Sequence, residues 1–172
     1  MNALSDWLLT LNIDSFVNAH DWVWPLCEIL HFFGMALLIG TVGLVDLRIL
    51  GAVKGLPIGA LEKLVPLGIA GFVINAVTGF VFVAGNVDGA PIYYLTNTAF
   101  RIKMILILLA GINVLLFYTL GIARETDAVG PEDGTSGRAK IIAASSLVAW
   151  FAVILFGRLI MYNDTLLYFL GL

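Results

Sequence analysis

The chain has 172 residues, 60% of them hydrophobic and only 12% charged, with a mean hydropathy of +1.01 and a net charge of −3. A soluble domain is about 45–50% apolar and about 25% charged, so these values exclude a water-soluble globular unit. Lysine and arginine together number 9, too few and too scattered for a nucleic-acid binder, and the single cysteine, Cys27, excludes an intramolecular disulfide.

Taken in chain order, residues 1–21 carry neither the basic start nor the small-residue cleavage site of a signal peptide. Leu4, Trp7, Leu8 and Leu11 recur at helical spacing with Asn2, Ser5 and Asp6 off the stripe. That pattern predicts a short helix lying in the membrane interface. A bilayer core of about 30 Å needs about 20 mostly apolar residues in a helix. Four runs satisfy this, at residues 22–45, 64–87, 100–122 and 139–162. Each is closed by polar punctuation: "VKGLP" after the first, "NVDGAP" after the second and "ETDAVGPEDGTSG" after the third. Lipid admits only helices and closed barrels, and these runs lack the alternation of barrel strands. The expected fold is therefore all-α, an integral membrane four-helix bundle in a single domain with a short N-terminal interfacial helix. Residues 124–138, rich in Gly, Asp, Glu, Thr and Ser, are expected to form a mobile, solvated loop.

Orientation follows from lysine and arginine placement. Arg48, Lys54 and Lys63 flank the first loop, and Arg124, Arg138 and Lys140 flank the third, whereas Arg101, Lys103 and Arg158 lie near helix ends on the other side. The expectation is a multi-pass protein of the bacterial inner membrane, with loops one and three cytoplasmic and both termini outside. Trp22, Trp24, Tyr93, Tyr94 and Tyr162 then form an outer aromatic belt.

Within that frame the stretch "CEILHFFGMALLIG" places Glu28 about 9 Å and His31 about 13 Å below Trp22, at ~1.5 Å per residue. Arg101, Lys103 and Arg158 enter the same half of the bilayer from the third and fourth helices. A charge at membrane depth costs about 2.5 kcal/mol or more and almost always faces the bundle interior. Glu28 is therefore expected to pair with one of these cations, and Glu28, His31, Lys103 and Arg158 to form the centre of a polar site. Neutral imidazole is the usual axial ligand of haem iron, Gly34 beside His31 would let a flat ligand approach, and Arg101, Lys103 and Arg158 suit haem propionates. The leading expectation is a b-type haem on His31, serving electron transfer. Copper is the alternative, because Cys27, His31 and Met35 repeat every four residues and are the ligand types that Cu(I) prefers. A third reading is a non-catalytic subunit whose polar cluster only locks the helices together. Glu28 and His31 also spell E-x-x-H, but a di-iron site needs a second such pair, which the chain lacks.

Four further polar residues read as structural. Asp46 and Arg48 stand two apart and cannot face each other on a helix; Asp46 is expected to pair with another helix and Arg48 to anchor the cytoplasmic end. Asn75 and Asn113, mid-membrane on helices two and three, are expected to form interhelical hydrogen bonds. No phosphate-cradling glycine loop, nucleophile elbow or zinc spacing is present, so no catalytic residue is assigned. The partner expected from these residues is the lipid bilayer, with a homodimer or a larger membrane complex left open.

The segments "EILHFFGMALLIGTVGLVDLRILG", "AFRIKMILILLAGINVLLFY" and "WFAVILFGRLIMY" resemble an uncharacterised family of small bacterial four-helix inner-membrane proteins, a resemblance that brings no activity with it. More remotely, the chain resembles the bacterial haem-b-dependent membrane protoporphyrinogen oxidases. Those also place a histidine early in helix one, a glycine-bearing stretch after it, an arginine near that helix's end and a lysine opening helix three. His31, Arg48 and Lys103 occupy these positions, and the resemblance implies His31 as haem ligand and Lys103 as partner of a carboxylate. The later histidines of that family are absent, with Asn113 and Tyr118 standing in that part of helix three. D-type copper-resistance membrane proteins share a similar histidine-then-glycine opening helix, which keeps copper as the alternative.

Overall fold

The computed structural model describes residues 3–85, 90–130 and 132–171. The end of the second expected span at residues 86–87, most of the "NVDGAP" stretch, Asn2 and Pro131 lie outside the described residues. The elements are helices α1 (Ala3–Thr10), α2 (Ile13–Ala19), α3 (Val23–Leu50), α4 (Ile58–Glu62), α5 (Val65–Ala84), α6 (Ala90–Thr96), α7 (Thr98–Thr119), α8 (Ile122–Asp127), α9 (Gly137–Leu159) and α10 (Asn163–Leu170). A 3-10 turn at Ile160–Tyr162 joins the last two. α3, α5, α7 and α9 are the helices long and apolar enough to cross a bilayer. The protein is an all-α, multi-pass membrane four-helix bundle.

The four long helices assemble as two pairs. α3 packs along α5 and α7 along α9, and α3 joins the pairs by packing on α9. Water drives no association in lipid, so close backbone approach and dispersion must hold such pairs. The α3–α5 seam meets that demand with glycine. A Cβ built on Gly71 would stand 2.6 Å from the carbonyl oxygen of Gly34 and 2.8 Å from the amide nitrogen of Leu38, both backbone atoms that cannot swing away. One turn further along, Gly68 leaves room for the side chain of Thr41.

α3 runs 5 residues beyond the expected end at Val45, to Leu50, where Gly51 adopts φ +87° and closes the helix. Asp46 and Arg48 are part of this helix, not punctuation. Arg48 is only 1% exposed. Its Nε donates to the carbonyl of Leu56 at 2.7 Å and its Nη2 to that of Gly130 at 2.9 Å, so one side chain fastens both inner loops. The hydroxyl of Thr135 adds a bond to the carbonyl of Ile49. The 124–138 segment is therefore not the loose loop its composition suggests. It contains part of α8, and Ile122, Ala123, Thr126 and Thr135 around it are buried. Ile122 packs with Ile49, Ala139 and Ala143 in a small core at the inner end.

The opposite end is capped by α1, α2, α6 and α10. Only Leu8 of the Leu4–Trp7–Leu8–Leu11 stripe is buried; Leu4 and Trp7 are more than half exposed. The inward position is needed because α1 packs on α6, a helix the sequence reading passed over. Asn97 ties this cap together. Its Oδ1 accepts from the amide of Phe100 at 3.0 Å, capping α7, and its Nδ2 donates to the carbonyl of Ile160 at 2.9 Å.

If the α3–α5 seam depends on backbone approach, Gly71→Ala must force backbone apart. We expect it to destabilise the bundle by about 1–3 kcal/mol. Gly40→Ala, whose Cβ would meet nothing within 4 Å, is expected to leave the thermal unfolding midpoint in detergent unchanged. Equal midpoints for the two variants would contradict the account of the seam.

Candidate functional site around His31

His31 lies on the buried stripe of α3, one turn before Gly34, and α5 carries a matching stripe of Gly68, Gly71, Asn75 and Thr78 at helical spacing. Because the helices are antiparallel and held by Gly34 and Gly71, Thr78 arrives opposite His31. The imidazole Nδ1 lies 2.7 Å from the Thr78 hydroxyl. That hydroxyl also lies 2.7 Å from the carbonyl of Ile74 on its own helix, as its donor. A hydroxyl has one proton. With that proton committed to Ile74, Thr78 can only accept from His31, so Nδ1 carries the ring hydrogen and donates. The neutral ring then keeps its lone pair on Nε2, which hydrogen-bonds to none of the described residues.

The surroundings of the ring come mainly from α3 and α5, with Lys103 of α7 acting from the other helix pair. Phe82 of α5 packs against it at a centroid distance of 5.2 Å, and Trp24 packs on the other side of Phe82 at 5.2 Å. Gly79 keeps the Cε1 edge open: a Cβ there would stand 3.8 Å from Cε1. From the other helix pair, the ammonium of Lys103 on α7 acts electrostatically on His31. Lys103 lies against Gly157 of α9, where an added Cβ would stand 3.4 Å from Nζ and 3.7 Å from Cδ and Cε. Lys103 makes no ion pair or hydrogen bond with the described residues. The result is a half-buried imidazole acceptor near a lysine side chain that has no hydrogen-bond acceptor among the described residues, in an apolar setting where both are expensive.

The other expected members of the site are placed differently. Glu28 is exposed and accepts from the Trp24 indole at 3.2 Å. No cation reaches it among the described residues, so the expected ion pair is replaced by a bond within α3. Arg101 turns its Nε to the carbonyl of Leu95 at 2.8 Å and serves the end of α6. Arg158 is exposed, stacks over the Tyr162 ring at 5.7 Å and reaches the Met161 sulfur at 3.8 Å. Gly34 is buried, and the space beside it is taken by the carbonyl of Gly71, the amide of Asn75 and the side chain of Ile74; it admits a helix, not a flat ligand. Glu28, Arg101 and Arg158 thus turn away from His31 around their helices.

Cys27 and Met35 are half-buried on the same helix as His31. They stand about 12 Å apart along its axis at ~1.5 Å per residue, so the three side chains do not close on one ion as a set. Among the described residues no three His, Cys, Asp or Glu side chains converge. Asn113 makes the interhelical bonds expected of it, donating to the carbonyl of Ile142 at 3.1 Å and accepting from Ser145 at 3.0 Å. Asn75 does not: both its amide atoms are buried without a partner among the described residues. Its room beside Gly34 is closed in by backbone and Ile74, which leaves it no opposing polar group.

Thr78 and Gly157 were not singled out in the sequence. The Gly68–Gly71–Asn75–Thr78 spacing was the available signal for Thr78, since a small and polar stripe in a span marks a helix contact. Nothing in the sequence marks Gly157. Comparison with protein-family models, curated proteins and solved structures finds no match to this chain.

The tautomer assignment can be read directly. In ring-15N-labelled protein, the wild type is expected to show His31 protonated at Nδ1, and Thr78→Val to lose that preference. A wild-type ring protonated at Nε2 would contradict it.

Proposed function

We propose that this membrane protein holds a b-type haem through His31 in the outer half of the bilayer and passes electrons to or from a membrane or periplasmic partner. The observation that carries the reading is the Thr78 contact at 2.7 Å from Nδ1. Metal-ligating histidines are held in this manner, with the far nitrogen donating to a fixed acceptor and the near one presented to the metal. The residues present fit such a group in chemistry. His31 offers a neutral nitrogen ligand, and Lys103 offers a cation for an acidic substituent at the same depth. When bound, haem would supply a one-electron centre.

The chain's own residues do the rest. Thr78 fixes the ring's orientation and tautomer, Phe82 and Trp24 keep water from its flank, and Lys103 biases the local potential towards an anion. Arg101, Arg158 and Glu28 have other partners and are left out of the binding set. His20, the other histidine, has its Nδ1 2.9 Å from the carbonyl of Phe16 in the turn before α3. Each copy therefore offers one intramembrane histidine. The proposed setting is the bacterial inner membrane with the His31 half facing outwards, supported by the excess of Lys and Arg around residues 48–63 and 124–140.

The test is haem titration of the purified protein in detergent, followed at the Soret band. Wild type is expected to bind stoichiometrically, His31→Ala to lose the band, and Thr78→Val to bind about 10–100-fold more weakly. Wild type that stays colourless, or His31→Ala that binds equally well, would overturn the proposal.

A further inference from the structure

A second ionisable residue stands in the inner half of the bundle, on the α3–α9 seam. Asp46 is 6% exposed. One turn of α9 faces it with Ser146, itself 4% exposed, whose hydroxyl lies beside the carboxyl group. The other carboxyl oxygen, Oδ2, is buried without a partner. One turn further along α9, the indole Nε1 of Trp150 is also buried without a partner. Between these levels the side chain of Gly43 is missing from the seam, and a crevice of about 10 Å³ opens, lined by Ile39, Gly43, Leu147, Trp150, Phe151 and Ile154. That is room for about one water molecule.

Among the described residues no cation answers Asp46 from the elements around it. Arg48, two positions on, reaches the carbonyls of Leu56 and Gly130. Arg138 and Lys140 of α9 are exposed. Glu62 of α4 faces Asp127 of α8, and α5 meets the other side of α3 through Gly68 and Gly71. Asn113 of α7 is engaged with Ile142 and Ser145. A carboxylate buried beside one hydroxyl and no cation is a poor anion, and the neutral acid loses far less on leaving water.

We propose that Asp46 is a proton-binding site of the inner half: it rests as a neutral carboxylic acid and exchanges its proton with water at the inner surface. On release the O–H bond breaks, both electrons stay on the carboxyl oxygen and the proton passes to water; uptake is the reverse, and no other bond changes. Asp46 lies about 6 Å along the helix from its inner end at Leu50, so the exchange is with that side. The site stands independently of the His31 reading.

Infrared spectroscopy of the protein in lipid vesicles tests this at neutral pH. Wild type is expected to show a protonated carboxyl C=O band that shifts in D2O and is missing in Asp46→Asn. The band should fade when the medium bathing residues 51–64 is made alkaline, and not when only the opposite side is. A wild-type spectrum without an Asp46-dependent C=O band would show a resident carboxylate and overturn the proposal, as would a band responding only from the other side. Should Asp46→Asn fail to fold, Ser146→Ala supplies the same reading. Loss of its hydroxyl should move the band to higher frequency, and an unmoved band would count against the assignment.

Discussion

The outer half of the molecule depends on how closely α3 and α5 approach. Gly34 and Gly71 bring two backbones within a distance that any Cβ would forbid, and that approach sets the register by which Thr78 meets His31. The logic runs from a missing side chain to a hydrogen bond two turns away. The seam sacrifices something as well. Asn75 sits in it with both amide atoms unpaired, a desolvation cost of about 1–3 kcal/mol that the dispersion gained along a tightly packed glycine seam must outweigh. The position is tolerable because Gly34 leaves the amide space, not because the amide finds a partner.

The inner half solves a similar problem by the opposite means. Arg48 is buried more completely than any other charged side chain named here, and its Nε and Nη2 meet the loop carbonyls of Leu56 and Gly130. A guanidinium spreads its charge over a planar fork and is weakly hydrated, so neutral acceptors in fixed positions can hold it. The effect is to make the inner loops part of the fold, because the carbonyls of Leu56 and Gly130 lose their donor if either loop lifts away. Lys103 has no such arrangement. Its stem lies in the space that Gly157 leaves, and its compact ammonium has no acceptor among the described residues. Two basic residues in one apolar chain thus differ in kind: one holds two loops, and the other has no hydrogen-bond acceptor among the described residues.

Much of the fold was legible in the sequence, because membrane spans follow from composition and length. The four runs appear as four long helices with ends displaced by a few residues. The largest displacement, at α3, arises because Asp46 and Arg48 read as the end of an apolar run while the helix stops at Gly51. The small helices were mostly missed, since seven- or eight-residue segments such as α6 and α10 carry too little periodicity to stand out. The site was legible only in part. Depth follows from counting residues, and it brought His31 and Lys103 to one layer. Azimuth depends on which helix lies beside which, and the sequence does not say that α3 sits between α5 and α9. Glu28, Arg101 and Arg158 share the layer but point elsewhere. The segment 124–138 is mostly exposed, in keeping with its polar composition, yet Arg48, 82 positions from Gly130 in the chain, ties it to the helix end at that carbonyl.

His31 and Asp46 lie on one helix, 15 residues and so about 22 Å apart along the axis. At an effective dielectric of about 20, a unit charge at one would change the energy of a unit charge at the other by roughly 0.7 kcal/mol, about threefold in an equilibrium constant. Electrostatics alone would therefore let the two halves work almost independently. Stronger coupling would have to pass through α3 itself, which is gripped by α5 at Gly34 and by α9 at Asp46 and Gly43. A shift of α9 that followed loss of the Asp46–Ser146 contact would also carry Gly157, and with it the ammonium of Lys103, relative to His31. The joint between the two helix pairs, where α3 packs on α9, is thus the structural link between the Asp46 end and the His31 end of the bundle.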